Sequence, residues 1–230
     1  MKLEDKPIFV NYNSGSCGEF IITLLMLLQN PNRDVTVIDS GSCHKNRDSD
    51  MEPDLTVDFN LSDADTQEII KQFKYRKINK AHVLNPNLIE EVIESTVIQI
   101  TNERMHLQQS LNILFKVIFS EWDRYGKDTF YDICKDIDIT HPNELTQQQL
   151  KTIVHDYLPP YIIQKNNNML KFLENSNGNI IKLDMWDIYN NKQKVIEICQ
   201  ELVGVYDVDL NDFYDSYLNK QPTYDMIKNT

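Results

Sequence analysis

Short apolar runs alternate with longer segments of helical period along the first half of the chain. Strands are predicted where β-branched and other apolar residues follow one another, at 7–11, 35–38, 55–59, 81–84, 96–100 and 179–183. Helices are predicted where apolar residues recur with the helical period, at 19–29, from residue 62 onward, at 86–94 and at 103–124. Residues 40–53 combine turn formers and charges without a period, which predicts a loop. Strands that alternate with helices indicate an α/β fold with a mostly parallel sheet covered on both faces.

The second half of the chain has a helical pattern up to the last strand. Within 128–175, the segment from Thr146 to Gln149 has the form of a capping box, and Pro159-Pro160 is expected to interrupt the helical run. Two further helices are predicted after the last strand, one reaching residue 203 and one at 210–218. We therefore expect one domain over residues 1–230, with a helical insertion at 126–175.

The loop between the first strand and the first helix is rich in small polar residues. It reads Asn13-Ser14-Gly15-Ser16-Cys17-Gly18-Glu19 and precedes a helix N-terminus, where unpaired amides and the helix dipole favour an anion. The two glycines allow tight turns, and Ser14 and Ser16 can donate hydroxyl groups. A plain turn is the alternative interpretation, and the carboxylate of Glu19 is unfavourable for an anion. The loop lacks the Lys of the common nucleotide-binding P-loop motif.

Composition and charge narrow the range of partners. The 230 residues carry a formal net charge of −12, with 41% hydrophobic and 25% charged residues, which is ordinary for a globular protein. An acidic surface disfavours nucleic acid, and no apolar run reaches the roughly 18–20 residues of a membrane span. The four cysteines are far apart and indicate reduced thiols, so we expect neither a disulfide framework nor a metal site. A cytoplasmic protein with a small-molecule partner is the expectation.

Several segments, in their order along the chain, resemble the sulfotransferase family of P-loop proteins. The loop Asn13-Ser14-Gly15-Ser16-Cys17 is similar to the family's phosphosulfate loop, which begins with Lys or Arg. Lys80-Ala81-His82-Val83-Leu84-Asn85-Pro86 resembles the family's Lys-Thr-His-Leu-Pro stretch. The strand 97–102, followed by Ser110, looks like the strand and helix whose Arg and Ser hold the 3′-phosphate of the donor. The segments 180–187 and 195–204 are similar to the family's late strand and helix.

This resemblance implies a P-loop-type parallel sheet and a role for each matching residue. The implied reaction moves a sulfo group from 3′-phosphoadenosine 5′-phosphosulfate to a hydroxyl or amine acceptor. His82 would be the general base and Lys80 would stabilise the bridging oxygen. The nucleotide would be held by the remaining matching residues, namely Asn13, Ser14, Gly15, Ser16, Cys17, Gly18, Asn102, Arg104 and Ser110.

Two positions depart from the family pattern. Asn13 and Asn102 stand where cations are expected, and Arg104 is the nearest substitute for the second one. A non-catalytic nucleotide-binding or structural relative is therefore an alternative. A small-molecule kinase is a second alternative, although the P-loop Lys and an evident magnesium-binding Asp are missing.

Several other polar residues carry weaker signals. His106 and Arg104 fall near the start of a helix, where they would line the same crevice or face solvent. Asp184 and Asp187 follow the last strand, and a helix cap is their commoner role. The aromatic residues near Trp122 are expected to form the core of the insertion, with an acceptor pocket as the alternative.

Overall fold

The computed structural model describes residues 8–32, 35–38, 41–45, 78–81, 96–174 and 179–229. For residues 44–45, 78–81, 168–174 and 179 it describes the backbone alone. Three predicted elements lie outside the described residues, namely the strand at 55–59, the helix from residue 62 and the helix at 86–94. No helix in the described ranges is both long and apolar enough to span a bilayer.

Four parallel strands form the main sheet. They are β1 (Ile8–Asn11), β4 (Ile78–Ala81), β5 (Thr96–Thr101) and β6 (Asn179–Asp184), and they lie side by side in the order β4-β1-β5-β6. The strands β2 (Val35–Val37) and β3 (Cys43–Lys45) form a separate antiparallel pair. The predicted α/β fold with a parallel sheet is thus confirmed. Two boundaries were wrong, because β4 begins three residues earlier than expected and β3 falls within the predicted loop.

Buried apolar residues explain why β1 and the first helix lie at the centre of the fold. Ile8, Phe9 and Val10 of β1 are all buried, as a central strand covered on both faces requires. Helix α1 (Gly18–Gln29) is buried from Phe20 through Leu28 and packs against the C-terminal helices. Such a helix cannot shift without exposing its whole surface, so it fixes the position of the loop that precedes it.

The connection from β5 to β6 contains helices of two kinds. Helix α2 (His106–Asn112) continues with the wider π-helical turn at Ile113–Phe119, and a second π-helical segment spans Trp122–Gly126. The predicted regular helix over 103–124 is therefore wrong in its start and its geometry. The following helices are α3 (Lys127–Ile133), α4 (Gln147–Thr152) and α5 (Leu158–Glu174), with a further π-helical segment at Ile153–Tyr157.

Two details of this helical region test the sequence interpretation. The capping box is confirmed, since Thr146 and Gln149 bond each other's backbone amides at the start of α4. The expected interruption at Pro159-Pro160 is wrong, because both prolines lie in the first turn of α5, directly after a π-helical segment. A proline at that place removes little of the helical hydrogen bonding. The helices after β6 are α6 (Met185–Asn190), α7 (Lys192–Val203), α8 (Asn211–Asn219) and α9 (Tyr224–Asn229).

The strand order defines where a ligand crevice forms. Within the main sheet, β4 is the next strand along the chain after β1 and lies on one side of it. The strand β6 follows β5 along the chain and lies on the opposite side of the sheet. In open parallel sheets, ligands bind beyond the carboxyl ends of the strands at the point where the order reverses. That point lies between β1 and β5, which end in the loops that begin at Tyr12 and Asn102.

A buried amide pair joins β1 and β5 at this edge. The Asn11 Nδ2 atom donates to Gln99 Oε1 at 2.6 Å, and Gln99 Nε2 donates to the backbone oxygens of Asn11 and Ile100 at 3.2 and 3.0 Å. Both side chains are almost inaccessible to water. The pair therefore sets the spacing of the two strand ends from which the crevice loops begin.

Removal of one partner should destabilise the fold more than removal of both. Gln99→Leu leaves the Asn11 amide buried without its acceptor, and we expect it to lower the free energy of unfolding by about 1–3 kcal/mol. The double variant Asn11→Leu/Gln99→Leu should recover part of this loss in urea denaturation. Strict additivity of the two single variants would contradict the proposed coupling.

Candidate functional site

Two carboxamide side chains of α2 hold the β1–α1 loop, residues 12–17, in place. The Gln109 Nε2 atom donates to the Ser14 carbonyl and to Ser16 Oγ, each at 2.8 Å. The Asn112 Nδ2 atom donates to the Gly15 carbonyl at 2.8 Å. Since the N–H and C=O of one peptide group point in opposite directions, the bond to Ser14 directs the Gly15 amide away from α2. The loop carbonyls are thus bound while amides remain available.

The end of the loop leaves the N-terminus of α1 uncapped. Gly15 and Cys17 adopt positive φ angles of 77° and 66°, and the Cys17 side chain caps no amide. Across the described ranges, the amides of Gly15, Cys17 and Gly18 form no hydrogen bond. Unpaired amides at the positive end of a helix dipole provide a favourable environment for an anion.

A cavity of about 400 Å³ adjoins these amides, and we call it the loop cavity. Its walls include loop residues 14–17, Gly18 and Glu19 from α1, residues 41–43 near the β2–β3 pair, Lys116 and Tyr217. Lys116 is the sole Lys or Arg among the described residues that line it. The Lys116 ammonium donates to Gln221 Oε1 and lies 5.1 Å from the centre of the Tyr217 ring.

Lys116 was not identified from the sequence. It lies seven residues after Gln109 and four after Asn112, so the three polar side chains share one face of a helix whose other inward positions are apolar. This polar stripe is the sequence signal from which Lys116 could have been identified. Burial lowers the pKa of the Lys116 ammonium, whereas the nearby sulfur groups of Cys17 and Cys43 act in the opposite direction.

Glu19 and Gly18 have identifiable packing roles beside the cavity. The Tyr12 hydroxyl donates to Glu19 Oε1 at 2.9 Å, which places an acid at the cavity wall. A Cβ atom on Gly18 would lie only 2.0 Å from the Tyr12 ring, so the absence of a side chain there allows the ring to pack. The sequence interpretation assigned Gly18 to a tight turn around an anion, with a plain turn as the alternative, and did not include this packing role.

Asn13 and Asn102 stand where the sulfotransferase family pattern has cations. Hydrogen bonds through Asn166 of α5 connect these two residues. The Asn13 Nδ2 atom donates to Asn166 Oδ1 at 2.9 Å, and Asn166 Nδ2 donates to the Asn102 carbonyl at 3.1 Å. The Asn102 side chain accepts from the Met105 amide at 2.8 Å and donates to Gln109. Both asparagines are buried, so their carboxamides connect loops to one another.

Arg104 and Ser110 lie apart from the loop cavity. The Arg104 guanidinium lies 3.7 Å from Asp184 and 4.6 Å from the centre of the Trp186 ring, beside the end of β6. Asp184 also caps α6 by accepting from the Trp186 amide at 2.7 Å. Ser110 is fully buried, and its hydroxyl has no hydrogen-bond partner in the described part of the chain.

Of the two predicted catalytic residues, Lys80 lies in β4, the outer strand beside β1. Lys80 pairs with Val10 in the parallel register of β4 and β1, which places its backbone beside the central strand. His82 lies outside the described residues. Their catalytic roles stay predictions.

A second cavity, of about 250 Å³, lies beyond the carboxyl end of β5, and we call it the β5 cavity. The sequence left His106 and Arg104 open between lining a crevice and facing solvent; His106 lines this cavity, whereas Arg104 does not. The described residues that line it are Thr101, Asn102, Glu103, His106, Ile163, Asn166 and Asn167. Of the aromatic series predicted as core, Trp122 and Phe130 are buried and pack edge to face at 5.6 Å, and Tyr131 packs against this cluster. Tyr125 is exposed and lines the loop cavity, so the prediction is wrong for that residue.

Comparison with known proteins assigns no family. A scan against models of protein families finds no match, and a search of curated proteins finds no significant match either.

The packing of Gly18 against Tyr12 can be tested by stability measurements. Gly18→Ala places a methyl group against the Tyr12 ring and should lower the free energy of unfolding by about 1–3 kcal/mol. Tyr12→Leu should reduce that cost, because it removes the ring that the methyl group meets. Gly204→Ala is the control, since its Cβ meets nothing within 4 Å and its cost should not depend on residue 12. An equal cost of Gly18→Ala in both backgrounds would contradict the assignment.

Proposed function

We propose that this chain is a sulfotransferase-like protein of the P-loop fold that binds 3′-phosphoadenosine 5′-phosphosulfate. The observation that carries the proposal is the β1–α1 loop, whose unpaired amides at the N-terminus of α1 border a cavity that contains Lys116. The 5′-phosphosulfate would occupy this cavity beside residues 14–18. The order of motifs along the chain and the parallel sheet support this assignment.

Lys116 offers a cation where Asn13 does not. A charge-assisted hydrogen bond contributes about 1.5–3 kcal/mol, so one well-placed ammonium compensates for much of the lost binding free energy. The lysine reaches the cavity from the helix that also holds the loop carbonyls. Burial from water strengthens its interaction with an anion.

The proposed reaction transfers the sulfo group to a hydroxyl or amine of an acceptor. The acceptor atom would form a bond to sulfur while the bond from sulfur to the bridging oxygen breaks, and adenosine 3′,5′-bisphosphate would leave. His82 would take the acceptor's proton and Lys80 would stabilise the bridging oxygen. The loop amides and Lys116 would stabilise the charge on the sulfo group by orientation and electrostatics.

A non-catalytic nucleotide-binding relative is the second candidate. Two observations favour it: the carboxamides of Asn13 and Asn102 are used in internal hydrogen bonds, and the Glu19 carboxylate lies at the wall of the loop cavity. Incubation with the sulfo donor and a mixture of simple alcohols and amines separates the two. The enzyme should release the bisphosphate, with a rate that falls in His82→Ala, whereas the non-catalytic relative should bind without turnover.

Binding of adenosine 3′,5′-bisphosphate tests the loop cavity directly. We expect Lys116→Met to weaken binding of the bisphosphate by about 10–150-fold, as measured by calorimetry. This is the loss expected for one charge-assisted hydrogen bond. Lys135→Met is the matched control, because Lys135 is exposed in the turn after α3 and its replacement should leave affinity unchanged. Equal affinities of Lys116→Met and wild type would contradict the proposal. Thermal stabilisation by ATP with magnesium, without stabilisation by the bisphosphate, would favour a kinase.

The pH dependence of the same binding follows from the lowered pKa of Lys116. Only the protonated ammonium attracts the bisphosphate, so affinity should be full below that pKa and fall as the pH rises through it. The fall should begin below the ordinary lysine value of 10.5, because burial lowers the pKa. Lys116→Met should lose this pH dependence between pH 8 and the alkaline limit of stability. An identical profile for the two proteins would contradict the role of Lys116.

A further inference from the structure

Gln221 is buried in the connection between α8 and α9, and its carboxamide is bonded at both ends. The Nε2 atom donates to the carbonyl oxygens of Gly41 and Tyr217, at 3.1 and 2.9 Å. The Oε1 atom accepts from the Tyr189 hydroxyl at 2.9 Å and from the Lys116 ammonium. A carbonyl oxygen only accepts hydrogen bonds, so the two carbonyls determine which end of the carboxamide is the nitrogen. The oxygen of Gln221 therefore faces Lys116.

The partners of Lys116 are neutral groups. Besides the Gln221 oxygen, its ammonium lies 5.1 Å from the centre of the Tyr217 ring. Within the described ranges, no Asp or Glu forms an ion pair with it. A charge that is removed from water usually has an opposite charge beside it. Since Gln221 takes one of the three N–H donors and adds no charge, Lys116 keeps two donors and its full charge for an anion.

Gln221 also holds a second wall of the loop cavity. Gly41, which lines this cavity, accepts from Gln221 and has a positive φ of 70°. A Cβ atom at Gly41 would lie 2.5 Å from the Lys220 carbonyl oxygen, so the backbone there is closely packed. Gln221 itself is not among the described residues that line the cavity. An effect of Gln221 on a ligand therefore passes through Lys116 or through residues 41–43.

Several elements contribute titratable groups around Lys116 and the loop cavity. Among the described residues these are Tyr12, Cys17, Glu19, Cys43, Tyr125, Tyr189 and Tyr217. Burial raises the pKa of the Cys43 thiol to about 12, and it raises the pKa of the Tyr189 and Tyr217 hydroxyls well above the ordinary value of 10.0. The acid of the set, Glu19, accepts from the Tyr12 hydroxyl at 2.9 Å. Lys116 is the cation of this set, so its titration reports on what Gln221 does.

We propose that Gln221 is a positioning residue of the loop cavity, which holds the Lys116 ammonium at the cavity wall and leaves its charge available for an anion. The inference rests on the proposed function, because it takes the anion to be the 5′-phosphosulfate of the nucleotide. It adds a residue that touches no ligand and acts through the lysine.

The pKa of Lys116 tests this role without a ligand. In the full-length protein with ¹³C-labelled lysine, the Lys116 signal is assigned by its loss in Lys116→Met. Gln221→Glu places a carboxylate beside the ammonium and should raise the pKa by about one pH unit, whereas Gln221→Met removes the acceptor and should lower the pKa. Gln148→Glu, which adds the same charge at an exposed position of α4, should leave it unchanged. A purely structural residue would not move the pKa in opposite directions, so any other pattern would overturn the inference.

Binding of adenosine 3′,5′-bisphosphate at pH 7 separates this inference from the proposed function. Gln221→Glu should weaken binding about tenfold, because the carboxylate offsets the charge of the ammonium, and Gln148→Glu should stay within about twofold of wild type. A wild-type protein that does not bind the bisphosphate would contradict the proposed function, and the pKa measurement would still decide whether Gln221 controls Lys116. Wild-type binding together with full affinity of Gln221→Glu would overturn the positioning role alone.

A contact in the wild-type protein makes the test independent of how the variants fold. The hydrogen bond predicts a nuclear Overhauser effect between the methylene protons next to the Lys116 ammonium and the side-chain protons of Gln221. Absence of this effect would overturn the inference even if neither variant at Gln221 folds.

Discussion

The hydrogen bonds from Gln109 and Asn112 to the β1–α1 loop are the interaction on which the candidate site depends. A loop with glycine and small polar residues would otherwise sample many conformations, and its carbonyls would compete with its amides for the cavity. Two carboxamides on one helix bind the carbonyls of Ser14 and Gly15. Among the described residues, the amides of Gly15, Cys17 and Gly18 then have no internal partner, because the carbonyl side of the loop already faces α2.

The same helix explains why two cavities of different chemistry lie at one edge of the sheet. Its start borders the β5 cavity, whose described lining residues include neither Lys nor Arg. Its continuation carries Lys116 to the loop cavity, beside an uncapped helix N-terminus. One helix thus borders both cavities, and among the described residues the cation that distinguishes the loop cavity from the β5 cavity is Lys116.

The sequence allowed the central strand, the loop and the first helix to be predicted, because a buried strand, small polar residues and an all-apolar helix each leave a strong local pattern. The short strand at Cys43–Lys45 and the start of β4 were misplaced, since neither has the alternation that marks a half-buried strand. Lys116 was missed although its spacing from Gln109 and Asn112 marks a polar stripe. Asn166 could not be placed, because its contact with Asn13 spans 153 residues and no local period encodes such a contact.

The central claim is that the amides at the end of the β1–α1 loop bind the anionic end of a nucleotide. The most direct measurement is a ¹⁵N–¹H spectrum of the protein during titration with adenosine 3′,5′-bisphosphate. Hydrogen bonds from amides to an anion should move the signals of Gly15, Cys17 and Gly18 downfield in a saturable way, together with that of the Lys116 ammonium. Saturable shifts elsewhere in the chain, with these signals unchanged, would contradict the account.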